Sequence, residues 1–124
     1  MVLGVGTDMV EILRVRQAIE KNPHFLERIY TEQEIAYCKR KADPWQSLAA
    51  RFAAKEAVGK AFGTGIGMLG LKNIEIINET GGQPKVVLHG VAEEQALLRN
   101  IRRVHISLSH SKEYAIATAV LEGE

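Results

Sequence analysis

A chain of 124 residues, 46% hydrophobic and 25% charged, has the size and composition of one soluble globular domain spanning residues 1–124. Its 16 basic and 15 acidic residues leave a net charge of +1, which gives no support to general nucleic-acid binding. The longest uncharged stretch, Ala61–Leu71, is too short and too rich in glycine to span a membrane. Cys38 is the only cysteine, so an intrachain disulfide is excluded and a zinc site cannot be built on it alone. A reducing, cytoplasmic setting is the simplest expectation, and Asp8 and Glu11 interrupt the apolar start in a way that argues against a secretory leader.

Taken in chain order, Val2–Gly6 reads as a short buried strand. Thr7 or Asp8 follows as a candidate cap for a helix over Met9–Lys21, with Ile12, Val15 and Ile19 near helical spacing. A second helical piece covers His24–Ile29. Thr31, with Glu34 three residues on, forms a capping-box pattern for a third helix. That helix ends on Lys39, Arg40 and Lys41, where cations favour the helix dipole, and Asp43-Pro44 breaks it. The clearest helix is alanine-rich and runs from Gln46 to Phe62, stopping at Gly63. After the glycine loop 63–67, Leu71–Ile77 and Lys85–His89 read as a hairpin around Gly81-Gly82. A short helix over Val91–Asn100 and strands over Val104–His110 and Ala115–Leu121 complete the chain. This order predicts an α+β fold with a largely antiparallel sheet and a long central helix.

Four places offer chemistry. Asp8, where a strand opens, is either a helix cap or a ligand carboxylate. Glu56 and Lys60 stand four apart on one helical face. They are either a surface ion pair or a carboxylate for a hard cation with a lysine for phosphate. Gly59 inside that helix costs about 1 kcal/mol relative to alanine, so something approaches the helix closely there. The loop Gly63-Thr64-Gly65-Ile66-Gly67 exposes backbone N–H groups to phosphate or is a helix cap with a turn. It is not a P-loop, because it follows a helix and lacks the Gly-Lys-Ser/Thr ending. On the strand His105–Ser111, the side chains of His105, Ser107 and Ser109 share a face, either as a polar row for a ligand or as a solvated face. No Gly-x-Ser-x-Gly elbow supports a serine hydrolase, and His24, His89, His105 and His110 lack helical zinc spacing.

Together and in this order, these segments resemble the holo-acyl carrier protein synthase family of 4′-phosphopantetheinyl transferases. The matching runs are Gly4–Ile12, Arg51–Ala57, Lys60–Gly65 and His105–His110. The resemblance implies transfer of the phosphopantetheine arm of coenzyme A to a serine of an acyl carrier protein, dependent on Mg²⁺ and serving fatty acid biosynthesis. It implies Asp8 and Glu56 as metal ligands and Lys60 as a lysine beside the transferred phosphate. It further implies Gly63, Arg51, His105 and Pro84 as coenzyme A contacts, and Arg14 and Arg28 as carrier-protein contacts. A homotrimer with sites between subunits is also implied, with Asp8 and His105 from one chain and Glu56 and Lys60 from the same chain or its neighbour.

One departure stands out. The family often carries another arginine shortly before Arg51, where this chain has Asp43-Pro44-Trp45-Gln46, leaving Arg40 or Lys41 as substitutes. Two other classes compete: a non-catalytic module that binds nucleotide or coenzyme A, and a structural oligomer in which Glu56 and Lys60 only bridge each other.

Overall fold

A computed structural model describes all 124 residues, Met1–Glu124. The chain runs β1 (Val2–Glu11), α1 (Ile12–Lys21), α2 (His24–Ile29), α3 (Glu32–Lys39), α4 (Pro44–Phe62), α5 (Ile66–Leu69), β2 (Ile74–Asn78), β3 (Pro84–Leu88), α6 (Gly90–Leu98), β4 (Ile101–His110) and β5 (Tyr114–Gly123). The α+β class and antiparallel pairing are as predicted, with the strands divided between two sheets. One has the order β1-β5-β4 and the other is the β2–β3 hairpin.

The largest difference from the sequence expectation lies at the first strand. Residues Met9–Glu11 continue β1 instead of opening the helix, because the strand pairs with β5 from Val2↔Glu122 to Glu11↔Tyr114. Ile12 N–H then donates to Glu113 O at 2.8 Å, and the helix starts there. Asp8 therefore sits within the strand opposite Ala117, and the helix-cap reading of it does not hold.

Smaller shifts have local causes. Asp43 accepts from the N–H groups of Trp45 and Gln46 and caps α4, with Pro44 at its first turn. The predicted break is thus a helix start. Leu71–Asn73 form a 3₁₀ turn, so β2 begins only at Ile74. The capping box is present as predicted: Thr31 N–H donates to Glu34, and Glu34 N–H donates to the Thr31 hydroxyl.

Helix α4 lies across the inner face of the three-stranded sheet, and two apolar clusters pack around it. One joins Ala53, Ala57, Val58 and Phe62 to Ala117, Ala119, Leu121, Ile74 and Ile76. The other joins Leu48, Ala49 and Ala50 to Ile12, Val15, Ile19, Ile29 and Tyr30. From Leu48 to Phe62 the only residues that are not buried are Phe52, Glu56 and Lys60, a single i, i+4, i+8 stripe reaching the surface.

Small residues allow this packing. A Cβ on Gly6 would stand 2.0 Å from the Ala57 carbonyl oxygen, and one on Gly4 would stand 2.1 Å from that of Ala61. The backbone of α4 thus rests directly on β1. The approach predicted at Gly59 is made by the glycine loop, which folds back over the helix. Gly65 N–H donates to Gly59 O at 3.2 Å, and a Cβ on Gly59 would meet Ile66 N at 3.0 Å.

Candidate active site

The close contact between β1 and α4 sets the first cluster. Asp8 shares the inner face of β1 with Gly4, Gly6 and Val10. The Lys60 ammonium donates to Asp8 Oδ1 and to the Thr7 carbonyl, each at 3.0 Å. The Glu56–Lys60 surface pair that helical spacing offered does not form, because Lys60 turns to the strand. Glu56, one turn before it, lies beside both. Burial and the neighbouring Asp8 charge push its carboxyl above the usual range, and Lys60 opposes them. Asp8, Glu56 and Lys60 thus meet within one chain. The arrangement that drew Asp8 and Lys60 from different chains is not the one found.

Gly63 ends α4 in the left-handed region at φ 78°, with open space where a side chain would project. This cap leaves the backbone of the loop accessible immediately beyond Lys60.

A second cluster borders β4, at the far side of the three-stranded sheet. Arg51 and Pro84 line a cavity of about 390 Å³ together with Tyr37, Ser47, Gln83 and His110. Arg51 donates through Nη2 to Asn78 Oδ1, and Asn78 Nδ2 donates to Gly82 O at 2.8 Å. Asn78 therefore ties the helix to the β2–β3 turn that carries Pro84. Row by row across the sheet, Asp8 is aligned with Ala117 and Leu108, which places the two edge strands about 10 Å apart.

His105 joins neither cluster in the isolated chain. It lies on the outer face of β4 opposite Val120, with Nε2 2.8 Å from Glu122 Oε1. That hydrogen bond holds the Glu122 carboxyl below its usual range. The shared face predicted for His105, Ser107 and Ser109 is present, and all three are exposed.

Arg14 is exposed on α1. It borders an apolar groove of about 450 Å³ lined by Val10, Val15, Ala18, Phe52 and Tyr114, and its nearest carboxylate is Glu11 at 3.7 Å. Arg28 is exposed in the last turn of α2. Of the neighbouring cations, Arg16 is engaged by Glu20 at 3.3 Å and lies over the Trp45 ring.

Several residues that organise these clusters carry no recognisable pattern in the sequence. Lys55, fully buried, donates to Glu34 Oε1 at 2.8 Å and to the carbonyls of Leu71 and Ile74. Burial pushes its ammonium below the usual range, against Glu34. Glu34 also accepts from Ile76 N–H, so the capping-box glutamate is at once an ion-pair partner. Its cap was legible, but its pairing with a residue 21 positions away was not. Tyr37 and Asn78 were likewise missed. A hint lay in Arg51 itself, a cation inside an alanine-rich helix that needs partners from elsewhere.

The sequence matches the 4′-phosphopantetheinyl transferase superfamily over residues 4–119. It is 44% identical over 123 residues to the holo-[acyl-carrier-protein] synthase of Caldanaerobacter subterraneus subsp. tengcongensis, covering 99% of this chain and 97% of that one. The fold superposes on the holo-[acyl-carrier-protein] synthase of Neisseria meningitidis with a TM-score of 0.91 at 35% identity, covering 98% and 99% of the two chains. It is also similar to a holo-(acyl-carrier-protein) synthase from Bacillus anthracis in complex with CoA (3′,5′-ADP), with TM-score 0.83, 37% identity, and 100% and 99% coverage. These matches give the class: an α+β enzyme that transfers a chemical group. The chain belongs to the 4′-phosphopantetheinyl transferase superfamily.

Proposed function

We propose that this protein, as one transferase domain over residues 1–124, moves the 4′-phosphopantetheine group of coenzyme A to a serine of an apo acyl carrier protein. The products are the holo carrier protein and 3′,5′-ADP. The observation that carries the reading is the meeting of Asp8, Glu56 and Lys60 on the surface stripe of α4. The names of the relatives and the bound ligand of the Bacillus anthracis structure point the same way.

The donor set suits Mg²⁺. Asp8 and Glu56 are two hard oxygen ligands, and no group of three or more His, Cys, Asp or Glu side chains builds an all-protein cage. Mg²⁺ keeps waters and completes its shell with substrate phosphates, so two carboxylates are a sufficient hold. When bound there, the ion supplies charge neutralisation and Lewis acidity at the pyrophosphate. The carrier serine oxygen forms a bond to the β-phosphorus as the bond to 3′,5′-ADP breaks. Glu56, with its carboxyl above the usual range, takes the serine proton. Lys60 hydrogen-bonds the departing phosphate and offsets its growing charge, and Asp8 orients that ammonium.

Arg51, Pro84, His105 and the loop at Gly63 take the nucleotide end in this reading. In one chain Asp8 and the Arg51 cavity lie toward opposite edges of a sheet, and His105 is on its outer face. That face exposes Val5 and Met9 at 59% each, Ile116 at 39% and Tyr114 at 38%. An apolar sheet face of this kind suits burial against further copies. We infer a homotrimer whose active sites join Asp8, Glu56, Lys60 and Gly63 of one chain to Arg51, Pro84 and His105 of the next. Arg14 and Arg28 meet an acidic carrier protein, with the apolar groove beside Arg14 receiving its side chains. No helix is long and apolar enough to cross a membrane. We place the enzyme in the cytoplasm, in fatty acid biosynthesis.

One experiment separates the readings: incubate the protein with coenzyme A, Mg²⁺ and apo carrier protein, then weigh the carrier by mass spectrometry. An added phosphopantetheine mass is the expected result. Coenzyme A binding without that mass identifies a binding module, and neither identifies a structural oligomer. Light scattering on the same sample checks the trimer.

A further inference from the structure

Helix α4 ends against a cation supplied from outside it. The last four carbonyls of a helix have no partner within the helix, and in α4 these belong to residues 59–62. Gly59 O accepts from Gly65 N–H at 3.2 Å, and Lys60 O accepts from Gly63 N–H at 3.0 Å. Ala61 O lies against Gly4 of β1. Phe62 O accepts from Nη1 of Arg99, 37 residues further on, and the Arg99 guanidinium carbon is 5.6 Å from the Phe62 ring centroid. Arg99 is the residue that ends α6. Its own N–H donates to Gln95 O at 3.1 Å, and Asn100, in the left-handed region at φ 57°, turns the chain into β4. The turn that carries Arg99 is thus fixed against the end of α4.

The charge of Arg99 goes to this contact alone. No carboxylate lies within ion-pair distance of it, whereas Arg102, which lines the same cavity, is paired with Glu124 at 2.7 Å. The C-terminus of a helix carries about −0.5 of an elementary charge, and a cation there offsets it. Phosphates bound by helices normally sit at the opposite, positive end. Here the last turn of α4 carries Lys60 and runs straight into the glycine loop, so a phosphate at this site approaches the negative end. Lys60 is already engaged by Asp8 and the Thr7 carbonyl. Arg99 is the cation that remains to offset the helix end.

We infer that Arg99 is a positioning residue for coenzyme A, acting through the end of α4 by offsetting its negative charge and holding Phe62, so that phosphate can approach Lys60 and Gly63. The inference rests on the transferase reading above and deepens it. Two consequences follow from the physics. A neutral donor in place of Arg99 can still satisfy Phe62 O but leaves the helix end negative, so the charge matters beyond the hydrogen bond. The effect also falls on the substrate that brings phosphates. The carrier protein meets Arg14 on α1, which follows the far end of β1 from the Gly4 contact, beyond the reach of a dipole effect confined to the last helical turn.

The test is a charge series at this exposed position, read by steady-state transfer with each substrate varied in turn. Arg99→Gln, which keeps a donor and loses the charge, should raise KM for coenzyme A about fivefold. Its kcat and its KM for the carrier protein should stay within a factor of about two. Arg99→Lys should restore the wild-type KM, and Arg99→Glu should raise it beyond Arg99→Gln. Arg102→Gln removes a charge from the same cavity away from the helix end and should leave KM for coenzyme A within a factor of about two. Equal KM for coenzyme A across the series, equal losses for both substrates, no rescue by Arg99→Lys, or a rise in Arg102→Gln as large as in Arg99→Gln overturns the inference. If Arg99→Glu does not fold, the comparison of Arg99→Gln with Arg99→Lys decides alone. If wild type transfers nothing, the transferase reading fails on its own, and calorimetric titration with coenzyme A and Mg²⁺ decides. Weaker binding by Arg99→Gln, restored in Arg99→Lys, is then expected. Equal binding by all three proteins, or none by wild type, overturns the inference.

Discussion

Lys60 donates to Asp8 Oδ1 at 3.0 Å across 52 residues of sequence and forms no ion pair with Glu56 one helical turn away. The Asp8 side chain is 16% exposed and that of Lys60 is 54% exposed, so the strand anchors the contact and the lysine remains free to move toward a phosphate. Removing Asp8 takes away a metal ligand and the anchor together. Asp8→Ala should reduce transfer by about 100-fold or more with a thermal midpoint near that of wild type. Near-full activity in that variant rules out the assignment. Lys60→Met should also lose transfer, because the departing phosphate then lacks the ammonium that offsets its growing charge.

Glu56 gives a stability signature that is independent of turnover. Burial and Asp8 raise its folded carboxyl above the unfolded value, against Lys60. The folded state therefore binds this proton more tightly, and folding is penalised once pH rises through the folded value. Glu56→Gln should abolish transfer yet raise the melting temperature of the metal-free protein, in EDTA at pH 7.5, by a few degrees. The gain should fade as pH falls through the raised folded value and be gone below about 4.3, the ordinary glutamate value, where the side chain is protonated in both states. A gain that grows on acidification contradicts the direction of the shift.

Glu56 and Lys60 were legible as one helical face because the 3.6-residue period is local. Local pattern did not give their partner, because a lysine one turn from a glutamate has a ready local mate; the family resemblance set Asp8 in one site with them, and the glycine-lined contact of β1 with α4 is what brings it there. The same limit applies to Met9–Glu11, whose apolar spacing fits either helix or strand. The ladder with β5, more than 100 residues away, decides it. The division of the strands into two sheets and the buried pairing of Glu34 with Lys55 are long-range in the same sense. What local pattern did carry was the capping box at Thr31, the end of α4 at Gly63 and the hairpin at Gly82.

The contact of β1 with α4 can be tested at Gly6. An added methyl would meet the Ala57 carbonyl oxygen at 2.0 Å and Ala61 N at 2.6 Å. These are backbone atoms, so the helix must move away from the strand. Gly6→Ala should destabilise by about 1–3 kcal/mol or more, measured by urea unfolding. Because Lys60 moves with the helix, transfer should fall further than the folded fraction does. Gly81→Ala, with nothing within 4 Å of its Cβ, serves as the control and should change neither.

Lys55 and Glu34 form the buried ion pair that fastens α4 to α3 and β2. Lys55→Met leaves the Glu34 carboxylate buried without its cation and should cost about 3–5 kcal/mol. Adding Glu34→Leu removes the stranded charge, so the double variant should recover part of that loss. Full recovery is not expected, because Glu34 also accepts from Thr31 N–H and Ile76 N–H, and both donors lose their partner. Denaturant midpoints of the two single variants and the double variant measure the coupling.

Arg14 tests the division of labour between the two substrates. Its side chain is 84% exposed and its one carboxylate neighbour is 3.7 Å away, a contact that contributes little to stability. Its charge is therefore available to an approaching acidic protein, and it lies away from the Arg51 cavity. Arg14→Glu reverses that charge beside Glu11 and should raise KM for the carrier protein about tenfold, equivalent to about 1.4 kcal/mol. The KM for coenzyme A should stay within a factor of about two, since uniform binding to one substrate is what the variant removes. The carrier effect should also shrink as salt is added, because screening acts on exposed charges. Equal losses for both substrates, or a carrier effect indifferent to salt, place Arg14 outside the carrier face.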